Sequence, residues 1–298
     1  LDSEYEVDIV THYKKQHPER NVRVGLRINI MLTDDAGNSV IQCGLRSGRF
    51  GFPESILEKN IERLKSARVQ IISLHGHTSS SDRAVNNYMI IAESMLKVCK
   101  AYELNDLEYF DVGGGFFGAP AAGINVVNKP KYADYANAIL DVVLEDAWFR
   151  KRQPYIVIEP GSSVVSNVFS YVTKVYQNKA IGGVNYVTVD GSVFDVKPTM
   201  HGYNLPFRVF SKIQGDQINT CDVVGSTCME KDVIMKGVEM PGVQKDDYIM
   251  IDGVGSYTIS LTPTFINYLP AIVYFENEIL CIARRRQVMD DVLSIYNF

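Results

Sequence analysis

Tyr155-Ile156-Val157-Ile158-Glu159-Pro160-Gly161 is a short apolar, β-prone run that ends on a carboxylate and is broken by Pro-Gly. A strand buried on both faces of a parallel sheet reads as such a continuous run. The C-terminal tips of these strands are where α/β folds collect their chemistry. Two further runs end in the same manner. Ile71-Ile72-Ser73-Leu74 leads into His75-Gly76-His77-Thr78-Ser79-Ser80, and Tyr109-Phe110-Asp111-Val112 leads into Gly113-Gly114-Gly115. An anionic tip, a histidine–serine tip and a glycine-rich tip on one rim point to a site for a phosphorylated, nitrogen-containing ring.

Around these three tips the chain alternates strand and helix. Asp2 to His17 predicts a helix with Ile9, Val10 and Tyr13 on one face, followed by a strand over Val22–Ile30. Pro53 suits a helix N-terminus, and Ile56, Leu57, Ile61 and Leu64 mark that helix's buried stripe. A long helix is predicted from about Asp82 to Tyr102, with Ile90, Ile91, Met95, Leu96 and Val98 inward. Another spans Tyr132 to Phe149, carrying Ile139, Leu140, Val143 and Leu144. Four strand–helix units in residues 1–166 are the pattern of a parallel sheet or (β/α)8-type barrel. A closed barrel needs about 250 residues, so the expectation is the C-terminal half of one, with its N-terminal half lost or supplied by a separate chain, unless the sheet is open. From Val168 the runs become short, β-rich and broken by Gly and Pro. They include Tyr171–Tyr176, Tyr186–Val189, Tyr248–Ile251, Ile272–Phe275 and Ile279–Ile282. Residues 167–298 therefore read as an all-β domain, a sandwich or barrel, with Asp290–Phe298 as a short helical or extended tail. The fold class expected is α/β plus all-β.

The net charge of -5 argues against nucleic acid or an anionic membrane as the main partner. No apolar run approaches the length of a membrane span. The five cysteines (Cys43, Cys99, Cys221, Cys228 and Cys281) form no CxxC pair, which argues against zinc or a disulfide framework and favours a cytoplasmic setting.

In order along the chain, Leu26-Arg27-Ile28, Arg49-Phe50-Gly51-Phe52 and His77-Thr78-Ser79-Ser80 resemble LRI, KFG and HxGS elements. Asp111 to Phe116, Glu159-Pro160-Gly161, Gly225-Ser226-Thr227-Cys228 and Gly255-Ser256-Tyr257-Thr258 resemble DxGGGF, EPGR, GPTC and GAYT. Together these resemble the alanine-racemase-fold, pyridoxal-phosphate-dependent amino-acid decarboxylases, the group of the ornithine, arginine and diaminopimelate enzymes. The resemblance implies that Glu159 meets the pyridine nitrogen and His77 stacks on the ring. Ser80, Gly113, Gly114, Gly115 and Tyr257 would hold the phosphate, Gly161 would belong to the cofactor site, and Arg27 would line the pocket. Cys228 would return a proton after decarboxylation, reaching into the neighbouring subunit's site, so a homodimer is implied. Each has a plainer alternative: a helix-capping carboxylate for Glu159, a packed loop histidine for His77 (with His75 as its rival), a tight turn for the glycines, a surface pair for Arg27, a core tyrosine for Tyr257 and an inert buried thiol for Cys228.

The departures bear on substrate. Ser162 replaces the Arg of EPGR, and Ser79 the Gly of HxGS. Met229 stands where an acidic residue grips a distal amine, with Glu230 one position off. Lys197-Pro198 stands where diaminopimelate enzymes carry Arg-Pro, and His201 replaces that motif's Tyr. These substitutions point away from ornithine and toward an acidic or conjugated amino acid, with Lys197, Met229 and Glu230 as substrate residues. The lysine that would bind the cofactor covalently, in a YAxKxN-like motif, is not found in this sequence. A catalytically impaired regulatory homologue of the antizyme-inhibitor type and a racemase of the same barrel type are the competing readings.

Overall fold

The computed structural model describes residues 1–34, 36–118, 129–212 and 218–297. Its chain forms two units, which part between Ser163 and Val164. In the first, four strands, β1 (Arg23–Arg27), β2 (Gln70–His75), β3 (Tyr109–Asp111) and β4 (Tyr155–Val157), pair in parallel in that order. The chain crosses between them through helices, as parallel pairing requires: α2 (Glu54–Ser66) before β2, α3 (Val85–Ala101) before β3, and α4 (Tyr132–Glu145) with α5 (Ala147–Arg152) before β4. Helix α1 (Glu4–Gln16) precedes β1.

Strand register sorts the residues into rows. Leu26, Leu74, Phe110 and Ile156 are mutual partners, and the first three are 0% exposed in the core that the helices complete. Side chains alternate across a sheet, so the neighbouring rows face the other way. One is Gly25–Ser73–Tyr109–Tyr155, the other Arg27–His75–Asp111–Val157. Backbone groups on the outer edge of β1 are taken by Leu1 and Phe52. The Arg27 amide donates to Leu1 at 2.9 Å and the Phe52 amide to Arg27 at 2.8 Å, which blunts an edge that would otherwise be open.

Two helices bury other faces than the sequence predicts. Helix α1 buries only Val7, while Ile9 and Tyr13 are exposed. In α4 the inward stripe is Tyr135, Ala138, Ile139 and Val143; Leu140 and Leu144 lie one position further round, about 100° away, and are exposed. Nor does one helix run from Tyr132 to Phe149. It breaks at Asp146, whose carboxylate accepts the amides of Trp148 (2.9 Å) and Phe149 (3.2 Å) to start α5.

The second unit begins within α6 (Ser162–Val165). Strands β5 (Ser170–Ile181), β6 (Val184–Val189), β7 (Phe207–Phe210), β8 (Ile218–Val224), β9 (Val233–Pro241) and β10 (Tyr248–Asp252) form one sheet in the order β7-β10-β5-β6-β8-β9. Every pairing is antiparallel except β6 with β8. Its core is β-branched and aliphatic, with Val175, Val189, Val223, Ile249 and Ile251 fully buried. Helix α7 (Val193–Val196) follows β6, and a separate hairpin, β11 (Ile272–Glu276) with β12 (Ile279–Arg284), precedes α8 (Met289–Leu293). The predicted tail is helical only there, and its last residue, Phe298, lies outside the described residues. Among the described residues no helix is long and apolar enough to cross a membrane.

Candidate active site

The segments leaving β2, β3 and β4 are tied together by their own backbone. The Glu159 amide donates to the Gly113 carbonyl at 2.8 Å, and the Gly76 amide to the Asp111 carbonyl at 2.8 Å. The Gly114 amide donates to Nδ1 of His77 at 3.0 Å. Gly113 has φ +75° and Gly115 φ +92°, conformations that a side chain disfavours. A Cβ on Gly113 would strike the His77 side chain, and one on Gly114 the Glu159 carbonyl. These glycines are small because the three tips touch.

His77 is half-buried, and its Nε2 lies 3.2 Å from the Ser79 hydroxyl. Burial, with help from the charges of Arg27 and His75, holds its pKa below the ordinary histidine value, against a smaller opposing pull from Glu159. The Arg27 guanidinium donates to the His77 carbonyl at 3.1 Å and stands 4.5 Å over the Phe50 ring, which Arg49 approaches at 4.0 Å. Asp111 accepts the Gly113 amide at 2.9 Å, and burial raises its pKa. Nε2 of His75 lies 3.3 Å from the Glu159 carboxylate. One donor atom each from His75, Asp111 and Glu159 falls within 4.8 Å of the others.

The structure therefore brings Arg27, His77, Gly113, Gly114, Gly115 and Glu159 together. Two expectations need correction. The Gly113 and Gly114 amides are engaged by Asp111 and His77, so they are not free donors for a phosphate. The Ser80 hydroxyl accepts from the Arg83 amide (3.1 Å) and the Asn87 side chain (2.9 Å) at the start of α3, leaving only its own proton to donate. Among the described residues nothing lies within 4 Å of a Cβ built on Gly161.

In the second unit Cys228 is an exposed free thiol on the loop after β8, so the buried-thiol alternative does not fit it. That loop is organised by Asp232, which is buried. Its carboxylate accepts from the Thr227 hydroxyl (2.6 Å) and amide (3.0 Å), the Ser192 hydroxyl (3.1 Å) and the Val193 amide (2.7 Å). Met229 is half-buried and Glu230 exposed beside it. Tyr257 is 65% exposed at φ +57°, in a loop pinned by the Gly255 amide to Ser166 (3.0 Å) and by Ser256 to the Ser166 hydroxyl (2.8 Å); it is not a core tyrosine. Lys197 is only 7% exposed. Its ammonium donates to the Tyr203 carbonyl at 3.4 Å, and burial lowers its pKa. The His201 ring stacks on Tyr203 at 3.6 Å.

Four residues do more in the site than their sequence context shows. Asp111 is visible only as a strand-tip group, and His75 only as the rival of His77. Tyr88, whose hydroxyl donates to the Gly114 carbonyl at 2.8 Å, reads as one more helix core aromatic. Asp232 carries no local signal, because two of its partners come from a segment some forty residues earlier.

Residues 1–166 match the family model for the pyridoxal-binding domain of pyridoxal-dependent decarboxylases. The diaminopimelate decarboxylase of Helicobacter pylori is 28% identical over 278 residues, covering 91% of this chain and 65% of that protein, so the chain spans about two thirds of this relative's length. A crystal structure of that enzyme, complexed with L-lysine, superposes with a TM-score of 0.78 at 25% identity, covering 99% of this chain and 71% of the other. The arginine decarboxylase of Paramecium bursaria Chlorella virus shares the fold, with a TM-score of 0.71 at 22% identity over 89% of this chain and 68% of its own. With the family model matched over more than half its length, the chain belongs to the pyridoxal-dependent decarboxylases.

Proposed function

We propose that this chain binds pyridoxal 5'-phosphate over the tips of β2, β3 and β4 and serves the decarboxylation of an amino acid or amino-acid conjugate. The observation that carries this reading is the convergence of Glu159, His77 and the triple glycine on one rim. The residues fit the group. Among the described residues, Nε of Arg27 and Nε2 of His75 are buried without a hydrogen-bond partner, and the glycine tips exclude side chains from the ground that a flat ring would cover. When bound, the cofactor supplies an electron-accepting ring and an aldehyde that engages the substrate's amine.

The chain's own groups divide the remaining work. Glu159 holds a proton at the pyridine nitrogen. His77, neutral because its Nδ1 accepts the Gly114 amide, offers a flat uncharged face to the ring. Gly115, Gly161, the Ser80 proton and Tyr257 are the donors left for the phosphate, with no arginine at Ser162 to help. Cys228 returns a proton to the carbon that loses carbon dioxide, from a homodimeric partner's side of the site. Lys197, Met229 and Glu230 meet the far end of the substrate. Lys197 must leave the Tyr203 carbonyl to do so, and a buried ammonium held there by a long bond is ready to exchange it for a carboxylate. The relatives, named as diaminopimelate decarboxylases, support a substrate with a second carboxylate.

The test is titration of the intact protein with pyridoxal phosphate, followed by assay of carbon dioxide release from diaminopimelate and from ornithine. Cofactor uptake with release from diaminopimelate is expected, and Cys228→Ala should lower kcat by about 10²–10⁴-fold with little change in KM. Uptake without release from either substrate, in line with the departures at Ser162 and Met229, would instead indicate the regulatory homologue. No uptake would end the cofactor reading.

A further inference from the structure

The row Arg27–His75–Asp111 lies across three adjacent strands, and Glu159 completes it from the segment after β4. Within it, His75 is the group whose role nothing above explains. Its Nε2 is buried and lacks an aligned hydrogen bond, yet stands 3.3 Å from the Glu159 carboxylate. On its other strand neighbour is Asp111, anchored by the Gly113 amide. The Glu159 side chain is 52% exposed, so solvent alone would leave its carboxylate several rotamers. A histidine held at this distance between two carboxylates does two things. It separates like charges that would otherwise repel, and it directs one oxygen of Glu159 by a charge-assisted bond. Such bonds are often long before the ligand arrives and shorten once it binds.

We infer that His75, steadied by Asp111, is a positioning residue for Glu159, fixing the direction from which that carboxylate meets the ring nitrogen. The inference rests on the cofactor reading above and adds a residue to it. The row supplies its charge environment: Arg27 on the β1 side, His77 two residues along the same tip, Asp111 on β3 and Glu159 after β4.

The experiment uses pyridoxal phosphate labelled with ¹⁵N at the ring nitrogen and bound to the intact protein. The nitrogen's chemical shift reports its protonation, and titration gives the affinity. In the unmodified protein the shift is expected in the protonated range. His75→Leu, which fills the same space without a donor, should move it toward the unprotonated range and weaken binding about tenfold, as loss of one charge-assisted bond implies. His75→Gln, which restores an N–H near the Nε2 position, should return both. An identical shift and affinity in His75→Leu and the unmodified protein would overturn the inference while leaving the cofactor reading intact. Failure of the unmodified protein to take up the cofactor would overturn both. Should circular dichroism show that His75→Leu is unfolded, Asp111→Asn decides: a displaced nitrogen supports the role, and an undisplaced one removes it.

Discussion

With the Gly114 amide donating to Nδ1 of His77 at 3.0 Å, that nitrogen carries no proton, and the ring's N–H lies on Nε2 beside Ser79. Burial and the charges of Arg27 and His75 act in the same direction, so in the cofactor-free protein His77 should titrate below 6.5 in an NMR pH series; a midpoint at or above that value would remove the electrostatic account. The sign for stability follows. A histidine with a depressed folded-state pKa binds fewer protons than in the unfolded chain, so its contribution is present above the unfolded value and is lost as the pH falls through the window between the two. Gly114→Ala tests the tips themselves: its Cβ would press on the Glu159 carbonyl, and pyridoxal phosphate affinity should fall at least tenfold by titration. Glu159, His77 and the glycines were legible in the sequence because each ends or follows an apolar run. The engagement of the Gly113 and Gly114 amides was not, since an amide's partner depends on which tip lies beside it.

At the scale of elements, the row Leu26–Leu74–Phe110–Ile156 locks the parallel sheet to its helices. Phe110 is fully buried with its ring 5.4 Å from that of Phe149 on α5, and Phe110→Ala should cost about 3–5 kcal/mol in denaturant unfolding. The loop bearing Cys228 depends in the same way on Asp232. Asp232→Ala strips acceptors from Thr227, Ser192 and Val193 and should cost about 2–3 kcal/mol, with a loss of kcat larger than any change in KM because the thiol's loop is displaced. The strands of the first unit were legible from apolar runs and their tips, but β7, β8 and β9 were not, since Gly, Asn and Asp interrupt or flank their short apolar stretches. Helix faces were less so: Leu140 and Leu144 fit an apolar stripe on paper, but the smaller Ala138 and the aromatic Tyr135 are what the core admits.

For the whole molecule, the proposal that Cys228 serves a neighbouring subunit's site has a direct consequence. Mixing Glu159→Gln chains with Cys228→Ala chains, each strongly impaired alone, should restore part of the activity if sites are shared between chains; no recovery would confine the site to one chain. The change of texture near residue 166 is visible in the sequence because parallel α/β and antiparallel β segments obey different periodicities. Strand pairing in the second unit was not legible, because β6 joins β8 in parallel and no local signal marks a long-range partner. A last consequence follows from the arrangement of Arg27, His75 and Asp111 as partners on adjacent strands. Sliding any one strand by a single residue would turn its polar member under the helices and bring a leucine or phenylalanine into the pocket. Misaligned copies of this protein would therefore be both unstable and inert, so a cell that cleared them by their instability would also be removing every copy with a miswired pocket.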